Sequence, residues 1–131
     1  MGDLDPRIQA GMVALDSGKP TEAFRVFLEY AQEGNAQAQA NLGLLYSLGV
    51  GADRDISQAI SWLEKAVGQG YGVAAHNLGT LYLTCEPDLP LDRDKSRKYF
   101  LMAYEIGFIV TSEDFYENLR AEQASSITES Q

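Results

Sequence analysis

The chain has 131 residues, 45% of them apolar, with a single cysteine and a formal net charge of −9. That length suits one domain, and no apolar run approaches the ~18 residues that a bilayer-spanning helix needs. The acidity argues against nucleic acid, whose phosphates call for a basic surface, and against an anionic membrane. One cysteine, Cys85, leaves no intrachain disulfide and fits a reducing compartment.

The opening MGDLDPR lacks the basic-then-apolar order of a secretory signal. Pro6 stands where a myristoylation motif wants Ser or Thr, so the expected location is cytoplasmic. Asp5-Pro6 reads as an N-cap with proline in the first helical turn, and Ile8, Met12 and Leu15 mark a helical stripe that stops near Gly18. Lys19-Pro20-Thr21 restarts a helix carrying Ala23, Phe24, Phe27 and Tyr30, ended by Gly34. Asn35 caps a third helix that runs to about Leu48, followed by a glycine-rich turn at 49–54. Asp55 caps a fourth, bearing Ala59, Trp62, Leu63 and Ala66 and closed by Gly70. A fifth reaches about Thr84. Two prolines at 87 and 90 forbid regular helix there. A sixth opens at Asp92, carries Tyr99, Phe100, Ala103 and Tyr104, and ends at Gly107. Phe108-Ile109-Val110 bridges to a Thr111-Ser112 cap and a last helix, 112–123, with 124–131 expected as a flexible tail. No strand pattern interrupts the series. The expected class is all-α.

The helices repeat. Ala38-Gln39-Ala40-Asn41-Leu42-Gly43-Leu44-Leu45-Tyr46 returns as Ala74-Ala75-His76-Asn77-Leu78-Gly79-Thr80-Leu81-Tyr82, with Asn, Leu, Gly and Tyr each 36 residues on. Sustained self-similarity at such a period marks a stacked array. A glycine inside a helix costs roughly 1 kcal/mol relative to alanine, so its return beside the leucine predicts a neighbouring helix passing too close for a side chain. Ala23, Phe27 and Gly34 match Ala59, Leu63 and Gly70 at 36, and Ser96, Phe100, Ala103 and Gly107 continue the series at 37. Only the connection inside each pair varies, as a solenoid allows. Pairs fall at about 5–34, 35–70 and 71–107, within a single domain of residues 1–123.

The run ANLGLLYSLGVGADRDISQAISWLEKAVGQG resembles a Sel-1-like repeat, a branch of the tetratricopeptide-type helical repeats. Leu42, Gly43, Tyr46, Gly49, Gly51, Asp55, Ala59, Trp62, Lys65, Ala66 and Gly70 match its pattern, and Leu78, Gly79 and Tyr82 begin another copy. Residues 5–34 carry the shorter loop of an ordinary tetratricopeptide repeat, and the third pair replaces the glycine loop with a proline-containing one. The resemblance implies a right-handed α-solenoid of about three antiparallel helix pairs plus a C-terminal capping helix. The first helices of each pair would line a concave face. It further implies a non-catalytic scaffold or adaptor for a protein or peptide partner. Some bacterial members are immunity proteins that neutralise a toxin.

On that layout the groove-facing positions are Ile8, Met12, Leu15 and Asp16, then Gln37, Ala40, Leu44, Ser47 and Leu48, then Val73, His76, Thr80, Leu83 and Thr84. Asn41 and Asn77 flank the groove, where an amide can both donate to and accept from a ligand's main chain. The competing reading places Leu44 and Leu48 against an adjoining repeat or the final helix, and bonds each asparagine to its neighbouring helix. His76 is the only histidine, and no His, Cys or carboxylate group shows ligand spacing, so neither metal nor cofactor is expected. Asp53 with Asp55, and Asp92 with Asp94, begin helices where acids favour the dipole, and Cys85 beside Glu86 is a poor thiolate. No enzyme is expected. Arg93, Lys95, Arg97 and Lys98 read as a solvated helix face. From Glu105 onward six acids face one base, Arg120, giving either a solvated surface or a steering surface for a basic partner such as a toxin.

Overall fold

Helix starts are written locally into this chain. In the computed structural model, which describes residues 5–84, 88–109 and 112–129, the helices are α1 (Pro6–Asp16), α2 (Pro20–Gln32), α3 (Ala36–Leu48), α4 (Ile56–Gly68), α5 (Gly72–Leu83), α6 (Arg93–Ile106) and α7 (Glu113–Glu129). The Asp5 carboxylate accepts from the Arg7 amide at 2.9 Å and Asn35 from Ala38 at 2.8 Å. Asp55 accepts from Gln58 and Asp92 from Lys95, each at 3.0 Å. Each such cap satisfies an otherwise orphaned N–H and contributes about 0.5–2 kcal/mol. Pro6 and Pro20 occupy first turns, where a missing N–H is harmless. No strand forms among the described residues, and none of their helices is long and apolar enough to cross a membrane. The fold is an all-α helical repeat.

One expected boundary is corrected. The last helix does not stop at Gln123 but continues to Glu129. Ala121, Glu122, Gln123 and Ala124 are good helix formers, the serines and threonine after them cost only tenths of a kcal/mol each, and no glycine or proline intervenes. The expectations placed on Cys85, Glu86, Pro87, Val110 and Thr111 lie outside the described residues.

The chain divides into two compact units, Met1–Gln69 and Gly70–Gln131. In the first, α1 packs on α2, α2 on α3 and α3 on α4. Its core is a cluster of Ile8, Ala14, Ala23, Phe27, Ala31, Ala38, Leu42 and Leu45. The repeated glycines sit where helices touch. A Cβ on Gly11 would lie 2.5 Å from Phe27 Cζ, and one on Gly43 would lie 2.8 Å from Leu63 Cγ and 3.0 Å from the Ala59 carbonyl. The glycine turn after α3 is tucked in equally tightly. Gly49 takes the left-handed conformation (φ 69°), and a side chain on Gly51 would meet the Pro20 carbonyl and Phe24 of α2. Gln39, buried on α3, donates to the Ala31 carbonyl at 3.2 Å and accepts from Gln69 at 2.9 Å, tying together the ends of α2 and α4.

In the second unit α5 packs on α6, and α6 on α7. A Cβ on Gly79 would lie 2.8 Å from the Phe100 ring, the same mating as in the first unit. The buried Ser96 hydroxyl donates to the Gly79 carbonyl at 2.7 Å. Although the connection into α6 carries prolines instead of glycines, it closes with the same bond. Asp92 N–H donates to the Tyr82 carbonyl at 2.9 Å, as Asp55 N–H does to Tyr46 at 3.0 Å. Phe108 packs on Gly72, and Tyr104 stacks on Tyr116 of α7 with centroids 4.4 Å apart.

Candidate functional site

On α3 the residues Gln37, Asn41, Leu44 and Leu48 recur at four and three positions, one stripe of a 3.6-residue helix. Leu48 is 62% exposed and Leu44 42%, while Gln37, Asn41 and Ser47 are half-buried. Among the described residues the Asn41 side chain makes no hydrogen bond, and neither does that of Asn77 on α5. Ser47 is spent locally, its hydroxyl donating to the Leu44 carbonyl at 2.7 Å. On α1, Met12 is 44% exposed, Asp16 is exposed, and Leu15 packs partly against the core cluster. Two positions counted into the groove belong to the interior: Ile8 is fully buried and Ala40 nearly so. Ile8 lies on the side of α1 that meets Phe27's cluster, which the positional count could not see.

On α5, Thr80 and Leu83 are exposed and Val73, His76 and Asn77 half-buried. Thr80 donates to the His76 carbonyl at 3.1 Å, and Thr84 to Leu81 at 2.8 Å. His76 is not open to a ligand on all sides, since its ring meets Phe100 at 5.2 Å and Phe108 at 5.6 Å, both edge-on. Burial among these rings lowers its pKa below the ordinary value and keeps it neutral at pH 7. A folded-state pKa below the unfolded one means that the unfolded chain takes up the proton first as pH falls. Stability from this source is therefore complete above ~6.5 and declines as the pH drops through and below that value. His76 is the sole histidine. Urea midpoints should accordingly fall between neutral pH and the onset of carboxylate titration, and His76→Phe should flatten that segment of the profile.

The four cations of α6 do not form one solvated face. Lys95 lies over the Tyr82 ring at 5.2 Å and Lys98 over Tyr99 at 5.5 Å. The Arg97 side chain is only 13% exposed and turns toward α7. There it borders a cavity of about 120 Å³ with Leu83 of α5, Arg93, Ser96 and Phe100 of α6, and Phe115, Leu119 and Glu122 of α7. A wider depression of about 410 Å³ lies between α6 and α7, lined by Lys98, Leu101, Met102, Glu105, Arg120 and Gln123. Among the described residues no three His, Cys, Asp or Glu side chains converge as a metal site would require.

The residues that recur at 36 are those of a known family model, the Sel1 repeat, which matches residues 36–71 and again 72–108. The chain belongs to the Sel1 repeat family. Sel1 repeats are a non-catalytic protein-interaction fold. The matched segments leave out α1 and α2, whose three-residue connection at 17–19 is shorter than the seven residues between α3 and α4. Over 73 residues (55% of this chain) it is 36% identical to HRD3A, an ERAD-associated E3 ubiquitin-protein ligase component of Arabidopsis thaliana. Over 111 residues (83%) it is 26% identical to the Sel1-like repeat-containing protein L21 of Acanthamoeba polyphaga mimivirus. The matches span 11% and 19% of those two proteins. Among solved structures, a Sel1 repeat protein from Oxalobacter formigenes is 30% identical, with TM-score 0.65 over 77% of this chain and 42% of its own. The protective antigen c5321 of uropathogenic Escherichia coli shares the fold at TM-score 0.68 and 24% identity, over 77% of this chain and 22% of that one.

Proposed function

We propose that this Sel1 repeat chain is an adaptor that holds a protein or peptide partner along the exposed stripes of its first-in-pair helices, without chemistry of its own. The observation that carries the reading is the stripe on α3. Leu44 and Leu48 are exposed leucines one turn apart, next to an Asn41 amide with no partner among the described residues. Apolar anchors beside unused amide groups suit an amphipathic helix or an extended segment, which needs both burial and main-chain pairing. Met12 on α1 and Val73, Asn77, Thr80 and Leu83 on α5 offer the same mixture.

The test is retention of a partner by the tagged full chain, identified by mass spectrometry and then measured against Leu44→Glu with Leu48→Glu. The double variant is expected to lose the partner while melting as the parent does, since exposed substitutions usually stay within about 0.5 kcal/mol. Retention of the partner by the double variant, or a large melting loss, would place the leucines elsewhere in the design. A second reading, an inhibitor that caps the basic face of a toxin, draws on the exposed acids Glu113, Asp114, Glu117 and Glu122 of α7. It requires the retained partner to be a toxin and the complex to weaken with added salt.

A further inference from the structure

Arg97 carries a guanidinium that the chain leaves incompletely matched. Its Nη1 donates to Asp94 Oδ1 at 3.2 Å. Its Nη2 stands 3.4 Å from Glu122 Oε2, well beyond the ~2.7–2.9 Å of a charge-assisted hydrogen bond. Its Nε is buried and has no hydrogen-bond partner among the described residues. Nε and Nη2 form one edge of the planar group, the edge that meets both oxygens of a carboxylate in a bidentate pair. A single long contact occupies an edge built for two short ones. Glu122 itself is 61% exposed on α7, so it can swing to water at little expense.

The same arginine borders the 120 Å³ cavity whose apolar walls are Leu83, Phe100, Phe115 and Leu119. That volume far exceeds the ~10–15 Å³ needed by one water, so it admits a side chain. Arg93, exposed and without an ion pair among the described residues, stands at the rim as a second cation. On a chain of net charge −9 this apolar hollow is edged by two guanidiniums, with Asp94 and Glu122 as the carboxylates beside them. The unmet edge of Arg97 and the guanidinium of Arg93 are both donors, so the group that complements them is a carboxylate.

We propose that this hollow takes an apolar side chain of a partner polypeptide whose adjacent carboxylate seats on the Nε–Nη2 edge of Arg97, displacing Glu122. The proposal rests on the protein-binding reading above and names the partner's chemistry at this end of it. Leu83 is shared with the α5 stripe, so the hollow continues that surface. Glu122 is then an internal competitor: its removal strengthens binding, whereas an ordinary structural ion pair would give no gain.

The full chain is titrated with three labelled peptides followed by fluorescence anisotropy, a short Glu-Leu-Glu peptide, its Lys-Leu-Lys counterpart and its Glu-Ala-Glu counterpart. The Glu-Leu-Glu peptide is expected to bind about tenfold or more tightly than either control. Arg97→Lys, which keeps the charge and removes the edge, is expected to lose about that factor, and Glu122→Gln to gain several-fold. In parallel, the side-chain Nε–H resonance of Arg97 in the unmodified chain should move on addition of the Glu-Leu-Glu peptide. This readout does not depend on whether the variants fold. No binding, equal binding of the Lys-Leu-Lys peptide, an unmoved Nε–H resonance, or weaker binding by Glu122→Gln would each overturn the proposal. A partner lost from the Leu44→Glu, Leu48→Glu chain but retained by Arg97→Lys would sink this pocket while leaving the adaptor reading intact.

Discussion

Phe27→Ala is expected to destabilise the chain by about 3–5 kcal/mol, against a total of only about 5–15 kcal/mol for a folded domain. Phe27 is fully buried in the cluster with Ile8, Ala14, Ala23 and Leu42. Its ring also occupies the space that a side chain on Gly11 would need, with Cζ and Cε1 2.5 and 2.6 Å from an added Cβ. In the parent chain Gly11→Ala must push against a ring that has nowhere to go, and overpacking of that kind typically costs about 1–3 kcal/mol. In the Phe27→Ala chain the ring is gone, and the same substitution should regain up to ~1 kcal/mol of helix propensity. The sign of the Gly11 effect should therefore invert between the two backgrounds, measured as a double-mutant cycle in urea. An additive cycle would show that the glycine is not there for the phenylalanine.

The pairing of glycine with a bulky residue from the following helix is what made the architecture readable. Gly43 meets Leu63 and Gly79 meets Phe100 in the same way, and the spacing of 36 to 37 residues states this in the sequence before any coordinates exist. Caps were equally plain, because Asn35, Asp55 and Asp92 act on amides three residues away. What depended on distant neighbours was not readable. Ile8 and Met12 share an apolar stripe, yet only the arrival of α2 decides that the first is buried and the second exposed. Arg97 looks like its basic neighbours along α6, and only α7, through Glu122 and Leu119, turns it inward. The proline-bearing connection into α6 shares no glycine with its counterpart, so nothing in its residues announces that the Asp92 N–H bonds back to the Tyr82 carbonyl as the Asp55 N–H does to Tyr46. The candidate site is thus legible where exposure follows from helical periodicity and illegible where a third helix intervenes.

Leu42 and Leu44 give the second large expected effect its contrast. Two residues apart on α3, they are about 200° apart around a helix with 3.6 residues per turn, so one neighbour's interior is the other's solvent. Leu42 is fully buried with Ala38 and Leu45 in the first unit's cluster, while Leu44 is 42% exposed. Leu42→Ala should cost roughly 2–5 kcal/mol, the transfer of the lost methyls plus the cavity they leave. The loss should show as a lower urea midpoint with an unchanged slope, because the surface exposed on unfolding is nearly the same. Leu44→Ala should leave that midpoint within about 0.5 kcal/mol of the parent and act on partner affinity alone. A repeat protein needs both kinds of leucine. The buried one sets how each helix mates with the next, and that mating holds the exposed one where a partner can reach it. A neutral Leu42→Ala would mean that α3 is held by something other than this packing, and the exposed stripe would then lose the rigid support on which its specificity depends.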